Sequence, residues 1–313
     1  MTVQEPLPAG TILLSDSQAF SCAGAVFRVD PATGAVRLLS VAGDLRGATG
    51  IAVEAGGDVL VTRDRPFPGG GSLVRISARS GKQTEVSADG RFAGPAGVAV
   101  EAGGGVLVAD LFATGPGAVV RVDPATGGQG VLAPGDAVDN PPQRPAGICV
   151  APDGSVLVVE QAGAAAEHDH AARVVRIDPV SGARATVTEG GELRSPVDVA
   201  VDGYGGILVV DADAFDGFGG GVIRVDPVTG AQSVVASGGG FAAPASLAIE
   251  ADGSLLITDN EALDGIRVLF RVDRVSGEQQ VIASGGDFRA LSGVAVVPPA
   301  PVVPPAPTVP RAP

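Results

Sequence analysis

Short apolar runs punctuate this chain at nearly even intervals. ILLSD (12–16), VLVTR (59–63), VLVAD (106–110), VLVVE (156–160), ILVVD (207–211) and LLITD (255–259) begin 47, 47, 50, 51 and 48 residues apart. Each run is too short for a helix, rich in Val, Ile and Leu, and flanked by turn residues, which is the signature of a buried strand. A second series lies between them: FRVDPATG (27–34), VRISARSG (74–81), VRVDPATG (120–127), VRIDPVSG (175–182), IRVDPVTG (223–230) and FRVDRVSG (270–277). A third precedes each of the later copies, as in GIAVEAGGD (50–58) and GVAVEAGGG (97–105).

Six copies of a four-strand unit follow from this spacing. Gly-Gly and Asp-Gly pairs suit the tight hairpin between the first two strands, and Asp-Pro-x-Thr-Gly suits a turn in which Pro presets φ and Gly closes. Units of this length without helical stretches stack radially, so the predicted fold is all-β, a six-bladed β-propeller with four antiparallel strands per blade. The first copy lacks its innermost strand, and LSGVAVVP (291–298) supplies an innermost strand without a blade. Residues 293–297 are therefore expected to close the first blade, three strands from the start of the chain and one from its end. The propeller spans 1–298, and 299–313 reads as a Pro-rich, extended tail.

Composition narrows the function. The net charge is −14, with a single lysine (Lys82) among 21 basic residues, so no basic stripe is available for a phosphate backbone and nucleic acid is excluded as a partner. No apolar run reaches membrane-spanning length, and MTVQEPLPAG has no secretory pattern. Cys22 and Cys149 have no metal-type spacing and form no disulfide framework, which fits a reducing cytoplasm.

The pattern G-[IV]-A-V-x-x-x-G-x-V-L-V-x-D followed by V-x-R-V-D-P-x-T-G, seen in Gly97–Asp110 and Val120–Gly127, resembles six-bladed propellers of the NHL, streptogramin-lyase and SMP-30/gluconolactonase group. The resemblance covers 11–298 and implies architecture first. The lactonases of this group hold a divalent metal with a Glu near the N-terminus, an Asn in a Pro-Asn-Gly step and an Asp in a Pro-Asp-Gly step. At the corresponding places this chain has Asp16, Ala146 (in Pro145-Ala146-Gly147) and Asp198 (one position late, in Pro196-Val197-Asp198). The lyases use histidines and glutamates around magnesium; here the counterparts are His168, His170 and Glu160. With those sets incomplete, the expectation is no cofactor and no required catalytic metal.

Positions where one copy departs from its siblings are the candidate site. An arginine recurs in all six copies (Arg28, Arg75, Arg121, Arg176, Arg224, Arg271), which points to a structural role. An acidic residue ends the second strand in five (Asp16, Asp110, Glu160, Asp211, Asp259), while Arg63 stands in the second copy. These carboxylates either accept backbone hydrogen bonds in the following loop or form an acidic ring for a hard cation, with Arg63 able to clamp an oxyanion. Where four copies begin the innermost strand with Gly, the fifth has Asp198 and the sixth Ser246. The loop 161–174 carries both histidines, His168 and His170, as a solvated tip or as a base. Phe20, Phe67, Phe112, Phe215 and Phe218 in one set of loops, with Phe92, Phe241 and Phe288 in another, fall on one face; the first set reads as a pocket lining and the second as plugs between blades.

The reading that follows is a propeller that binds and transforms a hydrophobic small molecule at its loop-rich face, as a lyase or cyclase of secondary metabolism. Glu160, Asp198, His168 or His170 would transfer protons and Arg63 would hold an oxyanion. Phe20, Phe67, Phe112, Asp211, Phe215, Phe218 and Ser246 would contact substrate. The alternatives are a non-catalytic propeller that binds a protein or peptide, and a lactone hydrolase.

Overall fold

A computed structural model describes residues 7–64, 70–135, 144–161, 172–215 and 219–299. The described strands form six separate four-stranded antiparallel sheets. In five of them the strands follow one another in sequence, and in the first the order is Leu291–Val296, Ile12–Asp16, Ala25–Val29, Val36–Val41. The closing strand pairs Ile12 with Val296 and Leu14 with Val294, so the expected three-plus-one closure holds. It leaves no unpaired innermost edge at the seam. The only helical pieces among the described residues are the single turns Ala19–Cys22 and Ala262–Gly265 and the 3-10 turn Gly43–Leu45. Of the Pro-rich tail, only Pro299 lies within the described residues.

Burial explains the strand sequences. Second strands such as Val59–Arg63 and Val106–Asp110 are buried at every position, because each is sandwiched between the blades on both sides. A continuous apolar run is what that environment requires. The outermost strands, such as Gln232–Ser237, are largely exposed and correspondingly polar. Third strands are buried except at the recurring arginine.

That arginine latches turns within and between blades. Arg75 and Arg121 each make bidentate pairs with a glutamate of their own blade, Glu54 and Glu101. Arg121 also donates to Pro179 O at 2.7 Å in the next blade, and Arg271 to Pro31 O at 3.0 Å across the seam. A second latch runs along the rim. The Gln129 side chain donates to Ser87 Oγ and Asp89 O of the preceding blade and accepts from Arg91 N; Gln232 does the same with Thr188 Oγ1, Gly190 O and Glu192 N.

Candidate functional site

The six innermost strands, Ala48–Val53, Pro95–Val100, Arg144–Val150, Pro196–Val201, Pro244–Ile249 and Leu291–Val296, surround an axial channel. Its cavity is about 450 Å³, walled by aliphatic side chains such as Ile51, Val98, Ile148 and Leu247. Polar groups are few: Thr49, Gln161, Asp198, Ser246 and Ser292. In the fourth, fifth and sixth blades the pairing of the innermost strand slips at this level, between Pro145 and Ile148, Pro196 and Asp198, and Pro244 and Ser246. Such a bulge turns a side chain out of the regular alternation.

Asp198 and Ser246, the two departures from glycine, meet at this level. Ser246 Oγ donates to Asp198 Oδ2 at 2.7 Å, and Leu247 N donates to the same oxygen at 2.9 Å. Val199 N donates to Oδ1 at 2.9 Å, and Ser246 Oγ accepts from Val294 N at 3.1 Å. The pair thus bridges three consecutive blades. Gly147 makes room for it, since a Cβ there would stand 2.4 Å from Asp198 Cα. Burial pushes the Asp198 carboxyl up to about 6, against the lowering effect of its three hydrogen bonds. Cys149 lines the same channel, and burial together with the Asp198 charge pushes its thiol up, which makes it a poor nucleophile.

The carboxylates ending the second strands do something else. Asp110 Oδ1 accepts from Phe112 N and Ala113 N, and Oδ2 from Ala93 N at 2.8 Å in the loop that leads to the innermost strand. Asp16 accepts from Gln18 N, Ala19 N, Arg289 N and Ala290 N. Asp211 binds Arg194 N, Ser195 N and Asp213 N, and Asp259 binds Ala242 N, Ala243 N and Glu261 N. Each is fully buried and clamps two loops of its own blade together. Of the two readings of these residues, backbone acceptance is the one the geometry displays.

The four clamps share a sequence pattern, an Ala three residues after the Asp: D-S-Q-A-F (16–20), D-L-F-A-T (110–114), D-A-D-A-F (211–215) and D-N-E-A-L (259–263). The alanines Ala19, Ala113, Ala214 and Ala262 are buried, and the residues after them, Phe20, Thr114, Phe215 and Leu263, all have left-handed φ between 47° and 65°. The fourfold recurrence of Ala three residues after Asp was the available signal.

The second and fourth blades replace the clamp. Arg63 is buried, donates through Nε to Ser72 Oγ at 3.0 Å, and pairs with Asp44 at 3.2 Å. Glu160 is buried between Arg173, whose Nε donates at 2.8 Å, and Arg184. Both groups are therefore engaged with protein partners beside the channel rather than presented to it.

The described phenylalanines do not converge on the channel, and none of them is among its lining residues. Phe92, Phe241 and Phe288 are buried plugs; Phe288 packs edge-on against Phe27 and Phe241 against Phe270, each at 5.4 Å. Phe215 packs into the core shared by the fourth and fifth blades. Phe20 and Phe112 remain 40% and 42% exposed on the loop face. Phe67, Phe218, His168 and His170 lie outside the described residues.

The metal set that the resemblance implies does not fit these residues. Asp16 has both oxygens committed to backbone N–H groups, Ala146 offers no donor, and Asp198 is engaged with Ser246 and two amides. Among the described residues no three His, Cys, Asp or Glu side chains converge.

A closed ring of six four-stranded blades around an axial polar pair defines a six-bladed β-propeller. No protein-family model and no curated protein matches the chain, but solved structures do. A chain of a nidogen/laminin complex superposes with TM-score 0.68 at 15% identity, covering 92% of this chain and 98% of that one. The periplasmic gluconolactonase of Pseudomonas aeruginosa gives 0.60 at 17% identity, covering 92% and 98%. A streptogramin B lyase gives 0.55 at 14% identity, covering 88% and 74%. At these identities the likeness is one of fold. Among the described residues no helix is long and apolar enough to cross a membrane.

Proposed function

We propose that the protein is a small-molecule enzyme of the lyase or cyclase type, acting on a largely apolar substrate in the axial channel, with Asp198 as the proton-transfer group. The observation that carries this is the Asp198–Ser246 pair: among the described residues the channel's one acidic side chain, set among aliphatic walls, with a carboxyl pKa raised to about 6. A carboxyl in that state exchanges protons near neutral pH, which general acid–base catalysis requires. Ser246 Oγ and Leu247 N orient it. Glu160 and Arg63, held in ion pairs, act as structural groups. The two free thiols suit a reducing compartment, the cytoplasm.

Two further readings have support. Lactone hydrolysis is favoured by the gluconolactonase neighbour and opposed by the ligand positions just described. Binding of a protein or peptide is favoured by the nidogen/laminin neighbour and by Phe20, Leu263 and Ile266, each 40% exposed or more on the loop face.

The test is turnover of a panel of apolar lactones, cyclic esters and unsaturated acids, read by mass spectrometry with and without a chelator. Turnover should survive chelation, fall at least about 100-fold in Asp198→Asn, and change with pH around 6. Turnover that disappears on chelation and returns with calcium would restore the hydrolase reading. Turnover indifferent to Asp198→Asn would remove the channel as the site.

A further inference from the structure

The position just before Pro145 and its counterparts Ala48, Pro95, Pro196, Pro244 and Leu291 is small in five blades: Gly47, Gly94, Ser195, Ala243 and Ala290. In the fourth blade it is Arg144. Its backbone lies directly opposite Gln161, a lining residue of the channel, and its guanidinium carbon stands 4.5 Å above the ring of Phe112, which is half exposed on the neighbouring blade's loop. Arg144 Nε is buried and has no hydrogen-bond partner, and Arg144 makes no ion pair with any described residue. Glu160, which pairs across the strands with Pro145, has both oxygens occupied by Arg173 and Arg184.

These departures cluster. Arg173 stands where the first, second, third and fifth blades carry Ala25, Ser72, Ala118 and Gly221, and Arg184 where four blades carry the rim glutamine or, in the first, Val36. Two arginines thus hold Glu160, and a third, Arg144, stands on the adjacent strand, in a chain whose net charge is −14. Arg173 and Arg184 are explained by Glu160; Arg144 is not. A buried guanidinium donor without an acceptor is costly to keep, whereas a planar fork resting on an aromatic face is prepared for a planar oxyanion.

We propose that Arg144 is the oxyanion anchor of the channel mouth, holding the carboxylate of a singly charged, apolar acid whose body lies against Phe112, Leu111 and the channel wall. This rests on the reading of the channel as the ligand site and specifies its ligand class. Single charge follows from the Asp198 carboxyl in the same channel and the acidic surface, both of which oppose a dianion such as phosphate.

The chain has no Trp and one Tyr, so a fluorescent probe can be read against a dark protein. Titration with 1-pyrenebutyrate and with the neutral 1-pyrenebutanol should show the acid binding at least about tenfold tighter. Arg144→Gln should make the two probes equal, Arg144→Lys should retain part of the preference, and Phe112→Ala should weaken both. Unchanged melting temperatures would confirm that the variants fold, and inorganic phosphate should displace neither probe. Equal binding by the unmodified protein, or a preference untouched by Arg144→Gln, overturns the role of Arg144 while leaving the channel as a ligand site. Binding of neither probe at millimolar concentration overturns both readings, and displacement by phosphate overturns the restriction to a singly charged acid.

Discussion

The fourth and fifth blades come from one repeat and are held together by opposite means. In the fifth, Asp211 gives its oxygens to main-chain N–H groups of two loops, and Gln232 hooks the preceding blade through main-chain and hydroxyl groups. In the fourth, Glu160 gives its oxygens to two arginines, and Arg184, in the glutamine's place, reaches Pro134 O of the preceding blade. The first arrangement satisfies main-chain donors, which only a substitution by proline removes. The second satisfies donors that exist only because the sequence put them there. A blade of the first kind is fixed by its backbone, and one of the second is free to vary its side chains, which is where a ligand-binding group such as Arg144 can be added.

The largest effect should come from exploiting that difference. Asp259→Ala strands the N–H groups of Ala242, Ala243 and Glu261, at a cost of about 3–5 kcal/mol. Glu160→Leu should cost about as much, because it removes the carboxylate that two buried or half-buried guanidinium groups share. Adding Arg173→Met and Arg184→Leu to Glu160→Leu should return stability to within about 1 kcal/mol of the unmodified protein, as apolar replacement of buried ion pairs commonly does. No second substitution should rescue Asp259→Ala. Denaturant unfolding measures all four proteins, and failure of the triple variant to recover would break the distinction between the two kinds of blade.

How much of this the sequence discloses follows the same line. The ring, its closure and the strand order were legible because the demands of stacking are repeated six times and written in apolar runs and turn residues. Asp198 and Ser246 were legible because the crowding that selects Gly147 makes any side chain there conspicuous. Asp211, Glu160 and Arg63 stand at one level of the repeat, yet a carboxylate facing backbone amides and one facing solvent have the same sequence signature. Arg144 escaped because an arginine beside a proline looks like a loop charge until Phe112 is placed beneath it. The phenylalanines misled for a related reason: loop residues of adjacent blades share a face, but Phe215 turns inward to the core while Phe112 stays outside.

An intermediate effect should appear at the axis. The Asp198 carboxyl has a folded-state pKa of about 6, above the value of about 3.9 expected of an unfolded chain. The folded protein therefore holds the proton more tightly, and the stability this contributes is complete below about pH 4 and lost as pH rises through 6. The full span corresponds to at most about 3 kcal/mol. Asp198→Asn removes the charge but turns an amide N–H toward Val199 N or Leu247 N, forfeiting about 1 kcal/mol. The variant should thus be more stable than the unmodified protein by about 1–2 kcal/mol at pH 8, and equal or slightly less stable at pH 4. Thermal unfolding at the two pH values checks it. A variant that is more stable and inactive would mark Asp198 as a group kept for chemistry at the expense of the fold, whereas parallel stability curves would return the pair to a purely structural role.

The smallest effect tests the clamped blades from within. The clamp ends in a residue with left-handed backbone, a conformation that costs a residue with a Cβ about 1–2 kcal/mol. At Leu263, with φ 47° and a side chain 48% exposed, little packing offsets that cost. At Phe20, with φ 52°, the ring lies 6.0 Å from Phe27 and recovers part of it through burial. Glycine relieves the backbone at either position but gives back some of the gain through its greater freedom in the unfolded chain. Leu263→Gly should therefore stabilise by about 0.5–1 kcal/mol, while Phe20→Gly should be neutral or destabilising, because the contact with Phe27 is lost along with the strain. Chemical unfolding of the two variants side by side separates these outcomes. If both stabilise equally, the Phe20 ring contributes nothing to the fold, and its exposure on the loop face is left to be explained by a partner.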